Sequence, residues 1–366
     1  MGPLPARPEG GIAAYLIGLL ASPVAAHFTF EVVDTTVPPR LRRQRLLRPS
    51  LSLRLAAQLC GAIARTQPHL VHIHTSDGAG FWEKAALAEI AHAARRPVFL
   101  HLHGGDFERF LTNLSPVRAR LASRVLGRAS RVLILAEGWR PLLERFAPPE
   151  RIALLPNAIH TAEFAPPSAP PDHRTRLLFL GMLSERKGLD DFRTALQQLS
   201  RDGTLNFEVD IVGGEEVPGA RAHYETSFQE AGLSRWVHFH GPTFGEDKRR
   251  FLHHAHVFVL PSRAESFGIA NLEAMAAGLA VVSTRTGAIP EYLTDGLHGL
   301  LVAPGDATAL AGAIARLVAD PELRLRLGAA AHRRAQEYDW SVVGNRLRDL
   351  YASVLGTLSA ASEPAV

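Results

Sequence analysis

The feature that most constrains this chain is a rhythm. Short, almost unbroken apolar runs alternate with longer helical stretches, and the rhythm is played twice. In the first half the runs are "FTFEVVDT", "LVHIHT", "PVFLHLHG", "RVLILA" and "IALLPN". Strands that are apolar at every position are buried on both faces, which is the signature of a parallel sheet covered by helices. A helical stretch from Phe81 to Ala94 separates two of them. The proline-rich segment "APPSAPP", Ala165 to Pro171, interrupts the pattern. Prolines remove backbone donors and favour an extended form, so it reads as a linker. The rhythm then restarts with "RLLFLG", "NFEVDIVGG", "WVHFHG", "HVFVLPS" and "AVVST", and a last helix is expected from about Ser341 to Leu355.

The fold class that follows is α/β, with two Rossmann-like, doubly wound parallel-sheet domains. We expect an N-terminal domain over residues 1–165, a proline-rich linker over 166–173, a C-terminal domain over 174–338, and a terminal helix over 339–366 that packs back on the N-terminal domain. A ligand cleft is expected between domains at the carboxyl ends of the strands. The usual opening strand is expected to be short or missing, because Gly10 and Gly11 follow only "MGPLPARPE".

Composition narrows the classes of function. With 366 residues, 46% hydrophobic and 21% charged, the chain is long enough for two ordinary cores. Its one cysteine, Cys60, excludes an internal disulfide and a cysteine zinc cluster. No run is long and apolar enough to span a bilayer. The stretch Ile12 to Ala26 contains Pro23, and no small-residue cleavage pattern follows it, so no secretion signal is expected. The formal charge of +4 is uneven: Arg40, Arg42, Arg43, Arg45 and Arg48 cluster. That run reads either as a solvated loop or as a contact for lipid phosphates on an anionic membrane. It lacks interleaved aromatics, which argues against nucleic acid.

The chemistry concentrates in "LPSRAESFGIANLEAMAAGLAVVST", Leu260 to Thr284. A buried strand leads into a polar turn, then a helix of small residues. Free N–H groups near Ser266, Phe267 and Gly268 would face an anion at the helix start, aided by the helix dipole. Glu273 stands about 7.5 Å further along the helix axis, at 1.5 Å per residue, placed for ribose hydroxyls. Glu265, in the turn, would sit on the other side, near a sugar. Carboxylates suit both tasks because each accepts from two neighbouring hydroxyls.

These residues, framed by "PSRAESFGIANLEAMAAG" and the following "GAIPE" (Gly287 to Glu291), resemble the family-4 glycosyltransferases of the GT-B fold, group 1 type. The family carries two glutamates separated by seven residues in this setting. The resemblance implies a basic phosphate clamp in "LLFLGMLSERKGL": Gly181 after a strand and Lys187 beyond. The family commonly has arginine directly after that glycine, where this chain has Met182, so one phosphate contact is missing or supplied elsewhere, with Arg186 and Arg263 as candidates. "IVGGEE" implies backbone approach of the nucleotide at Gly213. "VHFHGPTF" implies a nucleobase flanked by Gly241 and Thr243. In "LLPNAIHTAEF" the family's asparagine is kept as Asn157.

On the acceptor side the resemblance implies Gly10 and Gly11 as an early glycine turn. In "FLHLHGGDF", His103 would face the reacting sugar, with Gly104 and Asp106 following. By the same resemblance His103, Lys187 and Glu265 are the catalytic residues. The implied activity is retaining transfer of a sugar from a UDP- or GDP-linked donor to an acceptor hydroxyl, without cofactor and without metal. The implied partners are the nucleotide sugar and a glycan or lipid-linked acceptor. The setting would be cell-envelope glycan or exopolysaccharide synthesis, in the cytoplasm at the inner face of the membrane. A nucleotide-sugar-binding protein of impaired activity is the alternative, motivated by Met182. A further reading is open at His72, His74, His101 and His103, since residues two apart on neighbouring strands share a face and imidazoles can bind a transition metal.

Overall fold

The computed structural model describes residues 1–2, 10–36, 48–165, 174–201 and 207–361. The linker expected at 166–173 and the arginines from Arg40 to Arg45 lie outside them, as does the side chain of Arg48. The chain forms two compact units. One comprises Met1–Ala158 together with Trp340–Val366, and the other is Ile159–Asp339.

The first unit holds a four-stranded parallel sheet in the order β1 (Val71–Thr75), β2 (Val98–Leu102), β3 (Arg131–Ile134), β4 (Ile152–Leu154). Neighbouring residues on a strand feed opposite faces. Leu100, Val132 and Ile134 join one core, with Phe81 of the helix Ala79–Ala93 and Leu126 of the helix Pro116–Arg128. Phe99 and Leu133 point the other way, into a second core with Tyr15, Leu19, Trp340, Val343, Leu347 and Tyr351. Those last four lie on the long helix Trp340–Ala361, which is thereby part of this unit's core.

The strand expected at Phe28–Thr35 does not form among the described residues; only Asp34 makes an isolated bridge, to Gly2. Phe28, Phe30, Val32, Val33 and Thr35 are nonetheless its more buried positions. Such a run reports burial, and a ladder also needs a hydrogen-bonding neighbour. The apolar stretch from Ile12 becomes the helix Gly11–Ala21, burying Ala13, Tyr15, Leu16 and Leu19. Among the described residues, no helix is long and apolar enough to cross a membrane.

The second unit holds six parallel strands: β5 (Thr175–Leu180), β6 (Phe207–Val212), β7 (Val237–His240), β8 (Val257–Leu260), β9 (Ala280–Thr284) and β10 (Leu300–Val302). Their order is β10-β9-β8-β5-β6-β7. The chain runs outward from β5 to β7, then returns beside β5 at β8 and runs out the other way. The reversal between β5 and β8 is the topological switch point, and ligands of such sheets bind outside the carboxyl ends there. β10 was not anticipated, being three residues long beside a turn.

The boundary between units falls at Ala158 rather than at residue 165. Ile159 N donates to Tyr338 O (3.0 Å), Thr161 Oγ1 donates to Asp339 Oδ2 (2.9 Å), and Phe164 is buried in the second unit. These bonds outweigh the proline signal that drew the sequence boundary later.

Candidate functional site

Two loops leave the sheet at the switch point, one after β5 and one after β8. Arg186 O accepts from Arg263 N (2.9 Å) and Ala264 N (3.4 Å), which stitches the loops together. Gly188 permits the approach: its φ is 74°, and a β-carbon there would stand 1.9 Å from Pro261 O. Lys187 is thus delivered to Glu265, and the two side chains form an ion pair that is largely buried. Glu265 also accepts from Ser266 N through Oε1 (3.1 Å).

Beyond the turn, Gly268 caps the helix Ile269–Ala276 in the left-handed conformation. Among the described residues, the N–H groups of Phe267 and Gly268 meet no main-chain or side-chain acceptor. A helix start with free donors and a dipole favours an anion. A polar lattice holds it: Tyr292 Oη donates to Phe267 O (2.7 Å), Asn271 Nδ2 to Ser283 Oγ (3.2 Å), and Ser283 Oγ to Leu260 O (2.9 Å). The "GAIPE" stretch closes the rear. Gly287 has φ 55°, its β-carbon would lie 2.0 Å from Glu265 O, and Ala288 N donates to Ser266 O (3.0 Å).

Glu273 is 7% exposed, on the second turn of the same helix. Lys248 Nζ, from the helix Gly245–His254, donates to its Oε1 at 2.6 Å. Each glutamate of the pair therefore carries its own lysine. Lys248 was missed because "GEDKRR" reads as a solvated charge run. The available signal was its spacing, four residues before the buried Leu252, on the inward side of the helix.

The two arginines expected to replace the missing one differ. Arg263 is committed to the buried Asp191, with Nε and Nη2 each 2.8 Å from a carboxylate oxygen. Its hydrogen bonds to Asp191 raise its already high pKa. Arg186 lies 3.3 Å from Glu216 and 3.5 Å from Ala264 O, and is half exposed. Met182 Sδ lies 3.7 Å from the point where a β-carbon on Gly214 would stand, as does Pro242 Cβ. Gly213 is set against Gly181, whose carbonyl oxygen would meet a β-carbon at 1.7 Å. Near Gly241, the buried Thr243 Oγ1 has no partner among the described residues.

The first unit brings a second group together. His72, His74, His101 and His103 project from the ends of β1 and β2 to one side, His74 opposite His101 in register. His74 and His103 ring centroids are 5.1 Å apart, and Tyr15 packs on three of the four rings. Burial, with the neighbouring imidazoles, holds His72, His74 and His103 well below the ordinary histidine range; burial takes His101 to about 3. The rings are neutral at pH 7. One nitrogen from each of His72, His74 and His101 lies within 4.8 Å of the others, the arrangement of three potential metal ligands.

Gly104 fits because a β-carbon would strike Asp77 Oδ2 at 2.4 Å. Asp77 also accepts from Asp106 N (3.0 Å), and both carboxylates line a cavity of about 740 Å³ with Trp82, Arg109, Phe110 and Asn113. Gly10 and Gly11 are exposed at the start of the helix Gly11–Ala21, and Asn157 is buried with Oδ1 unpartnered among the described residues. None of these three lines that cavity.

The two parallel-sheet units, with a Lys–Glu pair and a free helix tip at the switch point of the second, have the architecture of a GT-B glycosyltransferase. Residues 161–334 match the family model described as glycosyl transferases group 1, and residues 16–158 match that of a glycosyl transferase 4-like domain. The chain belongs to the group 1 glycosyl transferases, with a family-4-like first half. It is 31% identical over 251 residues to the alpha-maltose-1-phosphate synthase of Mycolicibacterium smegmatis, covering 62% of this chain and 64% of that protein. It is 33% identical over 184 residues to the D-inositol 3-phosphate glycosyltransferase of Corynebacterium efficiens, covering 50% and 43%. The chain therefore spans from 43% to 64% of these relatives' length. Among solved structures, Anabaena HepE in complex with UDP and glucose superposes with a TM-score of 0.75 at 19% identity, over 96% of this chain and 98% of that one. Sucrose-phosphate synthase from Thermosynechococcus elongatus gives 0.74 at 22%, over 88% and 81%. At these identities the structural likeness speaks for the fold.

Proposed function

We propose that the chain is a retaining glycosyltransferase that moves a sugar from a UDP- or GDP-linked donor to an acceptor hydroxyl. The observation that carries this is the helix tip at Gly268, with Lys187 and Glu265 on its turn side and Glu273 one turn inside. In this reading the pyrophosphate rests on the free N–H groups of Phe267 and Gly268. Glu273 takes the ribose hydroxyls, Glu265 the sugar, and Gly213, Gly241 and Thr243 border the base. As the diphosphate departs, Lys187 and the helix tip meet the growing negative charge, a preorganised stabilisation of the kind that dominates such reactions. The acceptor hydroxyl attacks from the leaving-group face and passes its proton to the departing phosphate. This role for Lys187 requires no metal ion.

His103 contacts the sugar or acceptor as a neutral ring, which suits a hydrogen-bonding group rather than a proton donor. Asp106, with Asp77 and the face of Trp82, suits a polyhydroxylated acceptor, because carboxylates grip vicinal hydroxyls and an indole covers the apolar face of a sugar ring. The two relatives are named for a sugar phosphate and an inositol phosphate, and HepE was crystallised with UDP and glucose. They support nucleotide-sugar chemistry with a small or glycan-like acceptor. We place the activity in cell-envelope glycan or exopolysaccharide assembly, at the inner face of the membrane. Met182 favours a second reading, donor binding with impaired turnover.

The test is a thermal-shift panel of nucleoside diphosphate sugars followed by transfer assays with and without EDTA. A matching donor at ~100 times its Kd adds about 2.7 kcal/mol of stability, and transfer should survive chelation. A protein stabilised by no nucleotide sugar overturns the proposal. Stabilisation without transfer to any sugar, polyol or lipid-linked acceptor favours the second reading, and loss of transfer in EDTA overturns the metal-free one.

A further inference from the structure

The donor site proposed above lacks a cation where the family has its arginine, and the structure offers a replacement from an unexpected element. Met182 cannot donate a hydrogen bond, and its sulfur lies on the Gly214 and Pro242 side. Arg263 is locked on Asp191 and Glu185. Lys187 is held by Glu265 at the turn side of the helix tip. Arg186 leans on Glu216 and on Ala264 O with its side chain half exposed. A further cation in contact with this machinery is Lys248. Its Nζ is 2.6 Å from Glu273 Oε1 and 5.5 Å above the ring of Phe164, and its side chain is 24% exposed.

A pyrophosphate lying across the tip, with ribose towards Glu273 and sugar towards Glu265, has its β-phosphate on the Lys187 side and its α-phosphate on the Lys248 side. Without donor, the Lys248 ammonium neutralises a carboxylate that is otherwise nearly buried, where an unpaired charge is costly. With donor, the ribose hydroxyls supply hydrogen bonds to Glu273 and release the ammonium to a new anion. Lysine suits that exchange, being a flexible point charge with three rotatable donors.

Resting on the donor-site reading, we propose that Lys248 is the second phosphate cation of the site, binding the α-phosphate end of the donor in place of the absent arginine at 182. The test uses the full chain and isothermal titration with UDP or GDP, whichever binds, and with the matching nucleoside, which has the same base and ribose but no phosphate. Lys248→Met is expected to weaken the nucleoside diphosphate at least about tenfold, as loss of a charge-assisted hydrogen bond does, while changing the nucleoside by less than about twofold. Adding Met182→Arg in the same chain should restore most of the loss. Equal weakening of nucleotide and nucleoside would overturn the proposal, showing Lys248 only to orient Glu273. Unchanged or tighter nucleotide binding would overturn it too, showing a mere charge partner. If the variant fails to fold, Lys248→Arg decides: a phosphate cation keeps diphosphate affinity in arginine form, and a loss above about tenfold with native melting overturns the proposal. Failure of the wild-type chain to bind any nucleoside diphosphate would instead overturn the donor site itself.

Discussion

His74 Nδ1 lies 2.9 Å from His103 Nε2, both rings buried in the first unit. One nitrogen must donate and the other accept, so the contact is made by neutral rings and is lost when both nitrogens carry protons. Burial lowers the pKa of all four clustered histidines in the folded chain, His101 to about 3, against roughly 6.5 when unfolded. Between those values the unfolded chain binds more protons, so stability falls as pH drops below about 6.5. Each ring contributes up to about 1.4 kcal/mol per pH unit. Urea unfolding of the first unit's signal at pH 7 and pH 5 should show a lower midpoint at pH 5, with a shallower dependence in His101→Asn. Equal pH slopes would contradict the neutral cluster.

The Lys187–Glu265 pair is largely buried, so removing one charge strands the other. Lys187→Met should destabilise the second unit by roughly 2 kcal/mol or more, somewhat under the ~3–5 seen for fully buried pairs. Glu265→Gln added to it should recover most of that loss, a coupling read from a double-mutant cycle of denaturant midpoints.

For transfer itself, Glu273→Ala and Lys187→Ala should each lower the rate at least about tenfold, assayed at a temperature where both variants remain folded. Turnover near the wild-type value in both would refute the site.

Gly287 holds the "GAIPE" loop against Glu265 O, at positive φ, where any side chain collides and strains the backbone. Gly287→Ala should cost roughly 1–3 kcal/mol for the dihedral alone, with donor affinity falling in parallel. Wild-type melting and titration curves would show that the loop has room it does not display here.

Tyr292 keeps its hydroxyl on Phe267 O while buried, and burial pushes its pKa well above 10. Tyr292→Phe takes the donor from that carbonyl and removes one of the two acceptors of Asn271 Nδ2 (3.1 Å), which keeps Ser283 Oγ. We expect about 1–3 kcal/mol of lost stability and weaker binding of nucleoside diphosphates, both measurable on one purified sample.

Much of this was readable in the sequence because buried parallel strands advertise themselves: eight of the ten runs marked there contain an observed strand, and a ninth misses only the first residue of β5, Thr175. The helix start at Gly268 was expected from glycine and small residues after a buried strand, whereas Lys187 was expected from the family resemblance, and the structure sets it beside Glu265. What stayed hidden depended on tertiary neighbours. Phe28 to Thr35 was read as a strand, yet among the described residues its backbone gains only one bridge, and no local pattern reveals whether an edge is waiting. Lys248 sits among charges, and only the approach of Glu273 distinguishes it from them. Asn271, Ser283 and Tyr292 are ordinary residues until folding sets them around one loop. The arginines Arg40 to Arg45 were read from charge alone and lie outside the described residues.

The helix that opens at Trp340 completes a core begun before residue 30. On the ribosome, the apolar side of β2 and β3 that carries Phe99 and Leu133 must therefore wait, partly bare, while all of residues 159–339 are synthesised. The inserted unit, closed on itself, has everything it needs to fold first. Any nascent chain stalled short of Trp340 would present chaperones with a finished second unit tethered to an unsealed, sticky first one.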